Sequence, residues 1–141
     1  MKTKILLLDA CADFVGNIPD NLNYIAPSEL REIQQKSPDS IYILDVRNRE
    51  SYEESHIEGS INIVLDEIFQ EQGIAAIPTN KPIVVCCGIG HVASQVLTLL
   101  QLLGYDAIGL KYGMGVSTVA NEIQKGWVEL GYPVTTAIQK K

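Results

Sequence analysis

The run from Lys81 to Gly104, K-P-I-V-V-C-C-G-I-G-H-V-A-S-Q-V-L-T-L-L-Q-L-L-G, constrains this chain more than any other stretch. Apolar, β-branched Ile83, Val84 and Val85 lead into Cys86 and Cys87 and read as a buried strand. Gly88-Ile89-Gly90-His91-Val92 then opens a helix whose apolar positions Val92, Val96, Leu99, Leu100 and Leu103 recur at helical spacing before Gly104 stops it. A thiol therefore sits between a strand end and a helix N-terminus.

The unpaired amides of a first helical turn, with the positive end of its dipole, favour an anion over a neutral group. They should stabilise a thiolate there and cradle a negatively charged sulfur or oxyanion. Gly88 and Gly90 suit a tight loop that aims several amide hydrogens at one point, because such loops use backbone angles that residues with a Cβ avoid. Ile89 fills a gap or faces a ligand. A cysteine ending a buried strand is more often inert core than nucleophile, and the loop alone leaves both readings open.

At 141 residues the chain is expected to form one domain with a real core. A net charge of -6 with no basic stripe argues against nucleic acid or an anionic membrane as partner, and for small metabolites or proteins. Three cysteines, two of them adjacent, form neither a disulfide framework nor a metal-ligand pattern, which fits a reducing cytoplasm. The start, M-K-T-K-I-L-L-L-D-A-C, is interrupted by Asp9 after four apolar residues, so no export signal is expected, and no segment is apolar for long enough to span a bilayer.

Residues 1–23 read as an N-terminal arm. Ile5 to Val15 suggests a short amphipathic helix with Asp9 and Asp13 on its polar face, or a strand through Ile5-Leu8; the arm would cover an apolar patch or make a dimer contact. Tyr24-Ile25 is a candidate edge strand, and Pro27 with Glu29 starts a helix through Leu30 and Ile33. Ile41 to Asp45 reads as a buried strand, Ile61 to Val64 as a third, Leu65 to Gln70 as a short helix followed by a loop, and Tyr105 to Leu110 as a fifth strand. Lys111 to Gly115 reads as a flexible turn, and a last helix is expected over Ser117 to Leu130, closed by Gly131-Tyr132-Pro133. Strands alternating with helices imply a parallel sheet covered on both faces, with its ligand site beyond the C-terminal strand ends. Asp45 to Arg47, Cys87 and the Lys111 to Gly115 turn all fall at that edge.

Four pieces in order, L-D-V-R at Leu44 to Arg47, S-Y-E-E-S-H-I-E-G-S-I-N-I from Ser51, V-V-C-C-G-I-G-H-V-A-S from Val84 to Ser94 and G-W-V-E-L-G-Y-P-V near the end, resemble the rhodanese family of sulfurtransferases. The similarity runs from about Tyr24 to Val134. It implies an α/β, three-layer fold for residues 24–141, with a five-stranded parallel sheet flanked by helices and Cys87 after the fourth strand as sulfur carrier. The substrate-binding loop is then Cys87, Gly88, Ile89, Gly90, His91 and Val92, the sulfurtransferase length. Related phosphatases of this fold have one more residue and a closing arginine, so dephosphorylation and arsenate reduction are disfavoured.

The chain also departs from the family pattern. Val92 stands where many single-domain relatives have a basic or hydroxyl residue, which leaves anion recognition to backbone amides and His91, whose charged form the helix dipole disfavours. The family's Gly-His-Ile-Pro-Gly-Ala is Ser55-His56-Ile57-Glu58-Gly59-Ser60 here, and its Gly-Gly pair is Tyr112-Gly113. The usual Trp is displaced to Trp127, implying an insertion near 117–126. Arg47 either lends positive potential to the pocket or pairs with Asp45 or Glu53; the resemblance favours this supporting, structural role for Asp45 and Arg47. His56 is expected to anchor its loop, Trp127 and Tyr132 the core, and Cys86 to pack in the core because neighbours on a strand face opposite ways. Cys11 is read as structural or incidental.

The resulting expectation is a cytoplasmic, single-domain sulfurtransferase needing neither metal nor organic cofactor. Its donor would be a small sulfur-containing anion such as thiosulfate, or a persulfide. Its acceptor would be cyanide or a thiol, including a thioredoxin-like or other sulfur-carrier protein. The competing expectation is an interaction module that keeps the fold and has lost turnover.

Overall fold

The computed structural model describes residues 2–115 and 125–137. At its centre Ile83–Cys86 forms strand β5, buried at every position and parallel to β2 (Tyr42–Asp45) on one side and β6 (Ala107–Leu110) on the other. Two-residue strands β1 (Tyr24–Ile25) and β4 (Ile61–Asn62) complete a five-stranded parallel sheet in the order β1-β6-β5-β2-β4. Strands buried on both faces need no polar alternation, which is why I-V-V-C reads as an unbroken apolar run.

The register sets Asp45 beside Cys86, so the first residues beyond β2 and β5 emerge at the same edge. Alternation along β5 divides the core. Ile83, Val85 and Cys87 pack with Leu44, Val46, Ile68 and the inner face of helix α5 (His91–Leu102). Val84 and Cys86 pack on the other side with Leu30 of helix α2 (Pro27–Lys36), Ile43, Leu110, Met114 and Trp127. The two adjacent cysteines thus belong to opposite layers.

Local chemistry accounts for most boundaries. Pro27 occupies the first turn of α2, and the Glu29 carboxylate accepts from the amide of Ala26 at 2.9 Å. The polar segment after β2 contains helix α3 (Arg49–Glu54), capped by the Asn48 side chain, which accepts from Ser51 N at 2.8 Å. Strand β3 (His56–Ile57) pairs antiparallel with β7 (Val134–Thr135) in a separate ribbon.

Several expectations are corrected. The inner face of α5 consists of Ala93, Val96, Leu97 and Leu100, whereas Leu99 and Leu103 are exposed, because the helix turns its i, i+3, i+4, i+7 stripe from Ala93 toward the sheet. The short helix expected at Leu65 to Gln70 is a 3-10 turn at Leu65–Glu67, and the supposed loop after it contains helix α4 (Glu71–Ala76). The third strand is only Ile61–Asn62. Residues 125–131 are irregular chain and turns rather than the end of a helix, while 117–124, which hold the rest of that expected helix and most of the expected insertion, lie outside the described residues. The arm is helical, α1 (Lys2–Gly16), and lies against α5, yet it contains no buried residue. No described helix is long and apolar enough to cross a membrane.

Candidate active site

Beyond β5 the chain turns sharply back into α5, and Cys87 sits at the turn with only 4% of its surface exposed. Two amides aim at its sulfur: Gly90 N at 3.1 Å and Ala93 N at 3.4 Å. The sulfur thus meets two amide donors, not the whole run from Gly88 to Val92. One of them, Ala93, lies a residue beyond the loop read from the sequence. Gly90 makes this possible, since its φ of +101° is a left-handed conformation that residues with a Cβ avoid. Gly88 does not share that need: its φ is not positive, and a Cβ there would meet open space.

The turn after β6 holds the cradle from outside. Met114 N donates to the Cys87 carbonyl and Gly115 N to the Gly88 carbonyl, both at 2.9 Å. Tyr112 and Gly113 take positive φ values of 60° and 54° to reach that position, and a Cβ on Gly113 would lie 2.3 Å from the Cys87 carbonyl oxygen. A segment expected to be a flexible turn is thus tied to the loop by two backbone hydrogen bonds. Gly126 and Trp127 support it in turn, with Trp127 N donating to the Gly113 carbonyl at 3.0 Å.

The other loop residues form the rim and a wall. Ile89 and His91 are exposed, and Val92 is half-buried against the Cys87 layer. Cys86 is fully buried beneath, where desolvation pushes its thiol well above the usual range, with the neighbouring Asp45 carboxylate adding to the effect. It is a core residue, as the strand alternation implies. Cys11 is exposed on α1 and free.

Asp45 and Arg47 form a buried, bidentate ion pair at the end of β2, with Nε to Oδ1 at 3.0 Å and Nη2 to Oδ2 at 2.7 Å. Arg47 Nη2 also donates to the Ser55 carbonyl at 2.7 Å, and Asn62 bridges the Asp45 and Arg47 carbonyls at 2.9 Å each. Burial works against the guanidinium charge, but the hydrogen bond and charge of Asp45, with smaller contributions from Cys86 and Cys87, raise its affinity for the proton overall. Of the two readings for Arg47, the pairing with Asp45 is the one present, and the cation lies within the electrostatic reach of Cys87. His56 donates from Nδ1 to the Tyr52 carbonyl at 2.6 Å and stacks on the Tyr52 ring with centroids 3.8 Å apart, so it anchors its loop. Trp127 is fully buried, donates from Nε1 to the Pro133 carbonyl at 2.9 Å, and meets Tyr132 edge-on. Among the described residues no group of three or more His, Cys, Asp or Glu side chains could hold a metal ion.

A parallel α/β sheet whose central strand delivers one cysteine onto two converging backbone amides defines a class of cysteine-centred loop sites. Within that class the chain belongs to the rhodanese-like domain family, whose model matches residues 26–116. It is 35% identical over 72 residues to thiosulfate sulfurtransferase PspE of Escherichia coli, covering 48% of this chain and 69% of that one. It is 30% identical over 91 residues to a putative sulfur carrier protein, YrkF, of Bacillus subtilis, covering 63% of this chain and about half of that protein, 48%. Among solved structures, the BH2092 protein of Bacillus halodurans superposes with a TM-score of 0.68 at 22% identity, covering 83% of this chain and 80% of that one. A rhodanese-related protein of Thermoplasma volcanium gives 0.64 at 25% identity, covering 79% and 96%. These likenesses support the α/β architecture and a family of sulfur-transfer proteins.

Proposed function

We propose that this protein is a sulfurtransferase that carries sulfane sulfur as a persulfide on Cys87. The observation that carries the reading is the convergence of the Gly90 and Ala93 amides on the Cys87 sulfur at 3.1 and 3.4 Å. Such donors favour a thiolate nucleophile and, after transfer, a terminal anionic sulfur.

In the first step the Cys87 thiolate attacks the outer sulfur of a donor, a new sulfur–sulfur bond forms on Sγ, and the donor leaves as a thiolate or, from thiosulfate, as sulfite. In the second, an acceptor thiolate or cyanide takes that sulfur and the Cys87 thiolate is restored. No net oxidation is required. Asp45 and Arg47 support the floor of the site, while Gly88, Ile89, Gly90, His91 and Val92 form the loop that meets the donor. A loop nearly without charge suits a persulfide on a small thiol or on a partner protein better than thiosulfate. The relative named as a putative sulfur carrier is consistent with a protein partner in the exchange.

Incubation with glutathione persulfide should add about 32 Da, one sulfur atom, to the peptide containing Cys87 and none to that peptide in Cys87→Ser. Loading should be faster than with equimolar thiosulfate. Absence of the mass gain with both donors would overturn the reading and leave the fold as an interaction module.

A further inference from the structure

We infer that Tyr24, on the edge strand farthest in sequence from the loop, is the residue that holds the cysteine cradle in its donating orientation. The Tyr24 hydroxyl donates to the Gly90 carbonyl at 2.8 Å. That carbonyl belongs to the residue whose amide reaches the Cys87 sulfur at 3.1 Å, and whose φ of +101° makes it the turning point into α5. Among the described residues it also accepts the first-turn bond from Ser94 N at 3.2 Å, the upper end of the ordinary range. A glycine in that conformation has other accessible wells, so an external clamp has something to select.

The fold makes room for the clamp. Tyr24 pairs with Gly109 in the β1–β6 register, and a Cβ on Gly109 would lie 2.8 Å from Tyr24 Cε1 and 2.9 Å from Leu97 Cδ2. Gly109 therefore supplies the hollow in which the tyrosine ring lies across the sheet toward the loop. Strand β1 is itself fixed at both ends, by Gly109 N donating to the Asn23 carbonyl at 2.8 Å and Lys111 N to the Ile25 carbonyl at 2.9 Å. Lys111 begins the same turn that binds the Cys87 and Gly88 carbonyls, so ring, strand and turn hold the loop as one frame. Tyr24 touches no reacting atom in this arrangement; it is a positioning residue, acting on the Gly90 amide through the φ and ψ torsions that link it to the Gly90 carbonyl.

The inference rests on the sulfurtransferase reading only for its catalytic consequence, and the test separates the two. Tyr24→Phe keeps the ring and the hollow and removes one neutral hydrogen bond. Amide hydrogen exchange at Gly90 should then accelerate by about fivefold, the factor such a bond commands, while amides of β5 are unchanged. Alkylation of Cys87 by iodoacetamide should slow by a similar factor at fixed pH, with the thermal midpoint lowered by only the few degrees that one hydrogen bond commands. Gly109→Ala, which displaces the ring but leaves the hydroxyl, should reproduce the Gly90 effect. If Gly90 exchange and Cys87 alkylation both match the parent in Tyr24→Phe, Tyr24 is not the clamp, whatever the persulfide assay shows. If they change while the parent gains no sulfur from either donor, the clamp stands and the proposed chemistry falls.

Discussion

At the scale of single residues, the two glycines of the loop separate cleanly. Gly90→Ala must force a Cβ residue to φ near +101°, at a cost of about 1–2 kcal/mol, and it disturbs the amide that faces the sulfur. Gly88→Ala meets open space at an ordinary φ and should change stability by less than about 0.5 kcal/mol, as a surface substitution does. Urea unfolding should show Gly90→Ala destabilised and Gly88→Ala close to the parent, and the Cys87 loading rate should fall in Gly90→Ala. The buried Cys86 gives a pH signature. Its thiol is held well above the usual range in the folded chain, whereas the unfolded chain releases that proton near about 8.5. Above that pH the unfolded state binds fewer protons than the folded one, so stability falls as pH rises toward the folded value; below it the contribution is constant. Tyr42, also raised by burial, adds a second loss only above about 10. Cys86→Ala should be less stable at neutral pH but lose less between pH 8 and 10, which urea midpoints across that range will show.

At the scale of elements, the inward turn of α5 decides which leucines matter. Leu97→Ala empties a position packed in the Cys87 layer and should cost about 2–5 kcal/mol, while Leu99→Ala, 46% exposed, should cost less than about 1 kcal/mol. Thermal unfolding of the pair tests the orientation directly. The sequence stripe from Val92 through Leu99 to Leu103 points one face too far, since V-L-T-L-L-Q-L-L is apolar nearly all round and periodicity cannot choose within it. Strand β5 and the turn into α5 were legible because the β-branched run and Gly90 state their own geometry, whereas Gly88 takes an ordinary φ that the sequence does not announce. Helix α4 was not, because Gly73 interrupts helical propensity and is there for contact: a Cβ on it would lie 2.0 Å from the Glu67 carbonyl oxygen. Strands β3 and β7, the antiparallel ribbon, were not marked in the sequence because each is defined by its partner, whereas the equally short β1 and β4 were read from their apolar residues at Tyr24-Ile25 and Ile61. The same reasoning explains why the sequence marks Cys87 and its loop but not Tyr24: the hydroxyl and its acceptor are 66 positions apart, and nothing local to Y-I announces the bond. The Arg47 pairing was readable from L-D-V-R, although the Ser55 carbonyl that shares the guanidinium was not.

At the scale of the whole molecule, a net charge of -6 surrounds a site beside which the Arg47 guanidinium is already paired with Asp45. Anionic donors therefore approach against the overall field, and salt shortens its range to about 8 Å at physiological ionic strength. Loading of Cys87 by glutathione persulfide should accelerate as salt is raised from low levels toward that range, whereas alkylation by neutral iodoacetamide should respond far less. Stopped-flow rates across a salt series give the comparison. A loading rate that falls with salt would mean that a local positive potential governs the encounter.

The backbone contacts from Met114 and Gly115 to the Cys87 and Gly88 carbonyls bear on any attempt to transplant this chemistry. A host protein given only the segment from Cys87 to Val92 would receive the proposed nucleophile without its mould. The portable unit is discontinuous: it must include the β6 turn with its left-handed Tyr112 and Gly113, set at the same height above the adjoining strand, before a grafted sulfur becomes competent.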